Sequence, residues 1–414
     1  MANGMAGSAR GTHTICLPIL EEEYRRSVDD ASQFRRMVDR YYEQIPELFP
    51  EGFSKGYELK DWHESTKMQI KIRRVELRNG MSYSIRPSFL MPYMTGRTDD
   101  VQGPLYLRKF GVPYWALTHV FGHNPMYWYR LEIGMGRNSI VGTTVRCTDL
   151  PTHLLADEHH QPRDDEKNYI ATTVGGGCCL GAELAETAGA ELEKAYAVFR
   201  EEARDVNPNY APETVNTDGW KSTKAAWKAL FSAIVIVQCF LHGWLKIRDR
   251  AKHLGELFPE ISKRVWDAYH APDRRSFAQR IRALRTWAAK SLSGIVQETV
   301  IDLCDKRDRW IIAYQHPGSH RTSNMLDRIM RSMNRYFDNG QHLHGSLAPS
   351  KRHCRSWALL YNFTPWNPAT TRANGGWKSP AERLNKHRYH DNWLHNLLVS
   401  ASLGGYRNRG PQNP

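Results

Sequence analysis

Apolar residues change their spacing along this chain, and the changes mark out its elements. Near Tyr24–Tyr42 they follow a helical period, within a first hundred residues that are otherwise mixed and charged. From 105 to 134 the punctuation is clearer. Pro113 opens a helix that runs to Phe121, and Gly122 closes it. Asn124 then caps a second helix with Pro125 at its first position, where a missing N–H costs nothing, and Gly134 ends it. Two short helices across a Gly-containing turn predict a helix-turn-helix over about 113–134. Met126, Tyr127, Tyr129 and Arg130 would face outward to DNA; the alternative is a helical hairpin that packs its aromatics into a core.

Residues 151–242 read as an α/β unit. Short apolar runs at 153–157, 168–174, 178–184, 213–218 and 233–237 predict strands of a mixed sheet. A helix carrying Leu192, Tyr196 and Phe199 separates the third run from the fourth, and a second covers about 221–231. The unbroken apolar run at 233–237 predicts a central strand buried on both faces. Helical periods then take over (Leu254, Leu257, Ile261, Val265; Phe277, Ile281, Leu284, Trp287), so 243–315 reads as an all-helical insertion. The α/β unit resumes at 316–340 with a helix over 323–337. Its apolar stripe is Leu326, Ile329, Met330, Met333 and Phe337; Asn324, Asp327, Arg331 and Asn334 share the polar side, and Thr322 or Ser323 supplies the cap. The tail, 341–414, opens its last helices with a capping box, Ser379-Pro380-Ala381-Glu382.

Charge narrows the partners. The 414 residues carry 57 Lys and Arg against 44 Asp and Glu, a net +13 that attracts polyanions, nucleic acid first among them. The tail holds ten Lys and Arg against two acids and interleaves them with Trp357, Tyr361, Trp366, Trp377 and Trp393. That mixture suits phosphate contact and base stacking, with a packed basic appendage as the alternative. Arg321, Arg328, Arg331, Lys351, Arg352 and Arg355 are the candidate DNA contacts there, beside Tyr127, Tyr129 and Arg130. Seven scattered cysteines form no disulfide framework, the first residues lack an export signal, and the most apolar stretch, Ala233 to Leu245, is too short to span a bilayer. A soluble intracellular protein is expected.

Three acids carry the candidate chemistry. Asp157 ends the run His153-Leu154-Leu155-Ala156, Asp218 ends Thr214-Val215-Asn216-Thr217, and Asp327 lies in the first turns of its helix. Singly, each has a plain explanation: a turn cap for Asp157, an Asp-Gly turn with Gly219, an i,i+4 pair with Arg331 for Asp327. Together, two strand-end carboxylates and one helix carboxylate can converge on divalent cations, which would relieve their repulsion and suit phosphoryl transfer. Glu298 and Asp308 are substitutes for the third acid. Cys239 and His242 form half a zinc site, which Cys147, Cys178 and Cys179 would have to complete; support for the acids is the alternative. His159 and His160 read as solvated loop residues, and Gly175-Gly176-Gly177 as a hairpin rather than a phosphate loop.

Asp157 and Asp218 are 61 residues apart, Asp218 and Asp327 are 109 apart. Cys239-Phe240-Leu241-His242 follows 21 residues after the second acid, and Arg321-Thr322-Ser323-Asn324 leads into the third. Over about 150–363 this arrangement resembles the Mutator-like transposases of bacterial insertion sequences. The resemblance implies a ribonuclease H-like mixed sheet interrupted by a large helical insertion, preceded by a helical DNA-binding region over 1–150 and followed by a basic helical tail. It implies a DDE-type triad, Asp157, Asp218 and Asp327, holding two Mg²⁺ (or Mn²⁺) ions, with Cys239, His242 and Asn324 in support. Double-stranded DNA, both element ends and target, would be the partner of a homodimer or larger homo-oligomer in the prokaryotic cytoplasm, associated with the nucleoid and not with a membrane. One position departs from the family: its third acid is Glu, and Asp327 is one methylene shorter. A catalytically impaired DNA-binding protein and a nuclease without strand transfer are the alternative readings.

Overall fold

The computed structural model describes residues 11–406 apart from 165, 341, 342 and 344. It is a mixed α/β structure built around two mixed sheets. The first comprises β1 (Thr14–Leu17), β2 (Tyr57–Ser65), β3 (Ile70–Leu77) and β4 (Ser82–Pro87) in the order β1-β4-β3-β2. β2, β3 and β4 form an antiparallel meander, and β1 joins β4 in parallel. Within 1–150, expected to be mostly helical, helices do outweigh strands among the described residues, but this four-stranded sheet was not anticipated. The period near Tyr24–Tyr42 does form helices, Glu21–Ser27 and Ala31–Gln44, but they lie against a sheet. β2 escaped notice because a bulge between Leu59 and Trp62 breaks its alternation and most of its side chains are solvated.

The second sheet comprises β5 (His153–Arg163), β6 (Glu166–Gly175), β7 (Cys178–Ala185), β8 (Thr214–Thr217) and β9 (Val235–Gln238), in the order β7-β6-β5-β8-β9. β5, β6 and β7 are antiparallel, while β8 and β9 run parallel to β5. Gly176 and Gly177, at φ +59° and +86°, make the two-residue turn between β6 and β7, a conformation that branched residues resist. The parallel strands need crossovers, supplied by the helices Ala190–Val206 and Lys221–Leu230. These bury Tyr196, Phe199 and Trp227 against one face of the sheet with Leu154, Ala156 and Val215. The other face, with Leu155, Ile170 and Val174, is covered by the helices Asn324–Asn339 and Leu347–Phe363. β9 is an edge strand, not the central one expected from its apolar run: Val235 and Ile236 are half-buried and Val237 buried. Cover by helices, rather than strand neighbours on both sides, accounts for those apolar residues.

Between β9 and the Asn324–Asn339 helix, the chain makes a helical block with its own core of Phe240, Trp244, Ile261, Phe277, Leu284 and Trp310, as the periods predicted. The described part of the tail, as far as Tyr406, is no appendage. Leu347–Phe363 lies on β7, and Trp393–Ser400 is buried throughout within the core of the first sheet. Trp357 and Trp393 are core residues, so these aromatics are unavailable for base stacking. Among the described residues no helix is long and apolar enough to cross a membrane.

The helix pair falls where expected, Tyr114–Phe121 and Pro125–Met135, with Asn124 Oδ1 accepting from Tyr127 N–H at 2.8 Å. Its outward face is smaller than expected. Met126 and Arg130 are exposed, but Tyr127 is half-buried with its hydroxyl on Thr95 O at 3.3 Å, and Tyr129 packs on Tyr114 and His353. The second helix packs on Leu347–Phe363 and buries Trp128, Leu131, Glu132 and Met135. Glu132, fully buried, accepts from Arg108 Nε at 2.6 Å, from Tyr114 Oη at 3.0 Å and from the Tyr336 hydroxyl, which also meets His353 Nε2 at 2.6 Å. Removing one member of a buried ion pair strands the other's charge. Glu132→Ala should therefore lower the unfolding free energy by about 3–5 kcal/mol in urea titrations. A loss below about 1 kcal/mol would mean that water reaches Arg108 and hydrates it.

Candidate functional site

β5 and β8 run parallel with Leu155 opposite Asn216. Carried two residues further, this register sets Asp157 beside Asp218, which immediately follows β8. The pleat decides which way each acid points. Leu154 and Ala156 face the crossover helices and Leu155 faces the Asn324–Asn339 helix, so alternation turns Asp157 toward the latter and Glu158 toward the former. Glu158 bears this out: it is 7 % exposed and accepts from Tyr196 Oη at 2.7 Å and from Thr223 Oγ1 at 2.7 and 2.9 Å. On β8, Val215 lies on the crossover side and Asn216 on the other, where its Nδ2 donates to His320 O at 2.8 Å. Asp218 has the parity of Asn216 and shares the face of Asp157.

Three bonds fasten the segment before the third acid to this end of the sheet. Besides Asn216 to His320, Phe240 N donates to Arg321 O at 3.0 Å, and Ser323 N donates to Cys239 Sγ at 3.2 Å. Ser323 Oγ lies 3.3 Å from the same sulfur and donates to Asp327 Oδ2 at 3.0 Å. Ser323 does occupy the helix-cap position, but its hydroxyl serves Asp327 rather than a helix N–H. The expected alternative pairing of Asp327 with Arg331 is absent from the described contacts of Asp327.

All three acids are half-buried, and they feel one another. Burial, followed by the charge of Asp218 and more weakly that of Asp327, lifts the Asp157 carboxyl to about 6. The two strand acids act on His242 as well. Hydrogen bonding to Cys239 chiefly, then the charges of Asp157 and Asp218, hold its imidazole up at about 9. Burial alone would raise the Cys239 thiol, but bonds from His242 and Ser323 outweigh it and hold the thiol below its usual value. Cys239 and His242 therefore connect all three acids. They are not half of a zinc site completed by Cys178 and Cys179, which sit on β7 at the opposite edge of the sheet.

The acids offer only hard oxygen ligands, and the charge of Asp218 disfavours ionisation of the half-buried Asp157, a conflict that a nearby positive charge would relieve; that chemistry fits a divalent cation. Among the described residues no group of three or more Asp, Glu, His or Cys side chains is placed to hold a metal ion, the three acids included. Asp218 Oδ1 also accepts from Trp220 N–H at 2.7 Å, so it caps its own turn, and Gly219 at φ +100° lets the backbone pass Gln238.

The candidate DNA contacts divide. Asn324, Arg328 and Arg331 are exposed on the acid-bearing helix, Arg352 is exposed and Lys351 half-buried. Arg321 is instead packed over Tyr269 and Tyr314, at 4.5 and 4.4 Å from their ring centroids. Arg355 is structural: it pairs with Glu183 and Glu202 and donates to Gly136 O and Asn138 O. His159 and His160 lie on β5 rather than in a loop, against Phe337 and Tyr169. Glu158 and Asn216 were missed by sequence reasoning, although period-2 counting from Asp157 and Asp218 would have placed both. No protein-family model matches this chain, and no curated protein matches it either.

Burial also raises Glu158, to about 7 from an ordinary 4.5. A carboxyl raised on folding holds its proton better in the native state, so its stabilising contribution is complete below about pH 4.5 and is lost as pH climbs to about 7. Glu158→Gln should remove that loss. In chelated buffer the variant should gain on the parent as pH rises from 4.5 to 8, by up to about 3 kcal/mol. Thermal melts across that range check it; a difference that does not change with pH contradicts the burial account.

Proposed function

We propose that this chain is a DDE-type transposase, which binds the inverted-repeat ends of a mobile element and carries out metal-dependent DNA cleavage and strand transfer. The observation that carries the reading is the register of β5 and β8, which sets Asp157, in the middle of β5 rather than at the strand end expected, beside Asp218, just past the end of β8, on the sheet face covered by the helix bearing Asp327. The mixed sheet, interrupted after β9 by a helical block and completed by that helix, supports a ribonuclease H-like domain. The net charge of +13 supports a nucleic-acid partner.

In this reading Asp157, Asp218 and Asp327 would hold the Mg²⁺ or Mn²⁺ ions, which would supply Lewis acidity for the attacking and leaving oxygens. The chain's own residues do the rest. Cys239 and Ser323 fix where Asp327 begins its helix. His242 keeps a positive charge beside Asp157 and Asp218. Arg328 and Arg331, exposed on the same helix as Asp327, contact DNA phosphates. Strand transfer exchanges one phosphodiester for another, so no nucleotide cofactor is required. Two element ends must be joined at once, which calls for a homodimer or larger assembly.

A second reading, a DNA-binding protein without chemistry, draws on Asp327: its short carboxylate is already engaged by Ser323 within its own first turn. End DNA incubated with Mg²⁺ or Mn²⁺ separates the two. The transposase yields nicked ends that join to target, and Asp157→Ala or Asp218→Ala should lower the rate by about a hundredfold or more while end binding in chelator persists. Full activity in either variant defeats the triad. Binding that never leads to cleavage, with either ion, favours the second reading.

A further inference from the structure

A groove of about 700 Å³ runs between the Pro125–Met135 helix and the corner Met91–Thr95. Its lining includes Lys67, Arg130 and Arg137, and among the described residues no Asp or Glu. All three cations are exposed, and none is ion-paired among the described residues. The corner presents Tyr93, 72 % exposed, on a left-handed backbone at φ +59° that a tyrosine disfavours. Arg137 holds the ring from one side, its guanidinium 5.3 Å from the centroid and its Nη1 donating to the Tyr93 hydroxyl at 2.7 Å. The opposite wall is tied down. Tyr127 stacks on His123 at 4.1 Å and donates to Thr95 O, and Gly96 lacks the Cβ that would meet the Tyr127 hydroxyl at 2.7 Å.

These features select a ligand. Cations without an ion pair among the described residues, in a groove whose described lining holds no carboxylate, favour phosphates. A displayed aromatic ring beside the methionine side chains of Met91 and Met126 favours a planar, polarisable group. The volume falls within the range of about 300–1,000 Å³ that encloses small ligands, so it admits a splayed base with its phosphate. We propose that this groove binds single-stranded DNA, stacking an unpaired base on Tyr93 with the flanking phosphates on Lys67 and Arg130. The assignment rests on the reading of the chain as a DNA-processing enzyme only for the origin of the single strand, the end freed by cleavage.

The test is fluorescence anisotropy of a labelled twelve-residue oligothymidylate and of a hairpin duplex of equal charge, with the full chain in chelator. Tyr93→Gly removes the ring and suits the left-handed backbone, so the fold is retained; thermal melting checks that it is. The oligothymidylate should bind the parent and lose about tenfold in affinity with Tyr93→Gly, while the duplex changes by less than about twofold. Tyr93→Phe, which keeps the ring, should restore binding to within about twofold of the parent. Lys67→Ala with Arg130→Ala should flatten the salt dependence of oligothymidylate binding by one to two phosphate contacts, about 0.7 in slope for each. A loss below about threefold with Tyr93→Gly, or an equal loss on the duplex, overturns the assignment. No cleavage occurs in chelator, so Tyr93-dependent binding by a chain that never cuts DNA would defeat the transposase reading and still support the groove.

Discussion

One short segment, residues 320–323, decides whether this protein has a site at all. The chain leaves the sheet after β9, builds a helical block with its own core, and must return its third acid to the place it left. Loop-closure entropy for such an excursion grows only slowly with length, so the cost of the return is modest. What it needs is a specific landing. Asn216, Cys239 and Phe240 provide it at the ends of β8 and β9, each bonded to a backbone group of His320, Arg321 or Ser323. Because Ser323 then donates to Asp327, the landing also orients the acid. The Cys-x-x-His pair thus serves as a bracket rather than as a metal ligand. A sulfur is suited to the role: it is large enough to meet both the N–H and the hydroxyl of Ser323, and it also holds up the charge of His242, which balances the strand acids.

The sheet itself sorts the negative charge. Asp157 and Glu158 are consecutive, and side by side in one pocket they would repel strongly. Strand alternation sends them to opposite faces. Glu158 enters a closed site where two hydroxyls satisfy it and burial carries it to about 7. Asp157 enters the face shared with Asp218 and Asp327, and rises to about 6. One carboxyl is satisfied by neutral donors; the other lacks a counter-charge beyond His242. That asymmetry, more than the presence of three acids, distinguishes a structural carboxylate from one suited to hold a cation.

The second sheet was legible in part because each strand carries an apolar run and because Gly176-Gly177 punctuates two of them; the polar half of β5, Glu158 to Arg163, carries no such run and was missed. The helical block was legible for the same reason, its period of 3.6 being sustained over several turns. The first sheet was not. β1 is four residues long, and β2 reads Tyr-Glu-Leu-Lys-Asp-Trp-His-Glu-Ser, polar on both faces once the bulge shifts its register. Nor can an apolar run tell strand neighbours from helix cover, which is why β9 passed for a central strand. The tail failed differently. Trp357 and Trp393 among arginines suggested a surface, yet Arg355 is itself consumed by Glu183 and Glu202, acids that lie 172 and 153 residues away. Ion pairs between such distant positions leave no local pattern to read. The three acids were singled out as element-end residues, which holds for Asp218 and Asp327 but not for Asp157 in the middle of β5, and their common face follows only from a register that the sequence does not state.

The helix pair is where the sequence suggests one mechanism and the packing favours another. In the usual helix-turn-helix the second helix lies in the major groove. Here that helix buries Trp128, Leu131, Glu132 and Met135 against the rest of the molecule, and Glu132 is bound by Arg108, Tyr114 and Tyr336. Tyr336 belongs to the helix of Asp327, nine residues further on. A helix held this way acts as a strut between the N-terminal region and the acid-bearing helix, with Met126 and Arg130 left free at its outer side. Buried ion pairs add little net stability but fix one arrangement among several. The strut therefore fixes the angle at which the Asp327 helix crosses the sheet. If Asp327 takes the part proposed for it, that angle must be held closely, because an aspartate side chain is short and cannot reach farther to compensate for a helix that drifts.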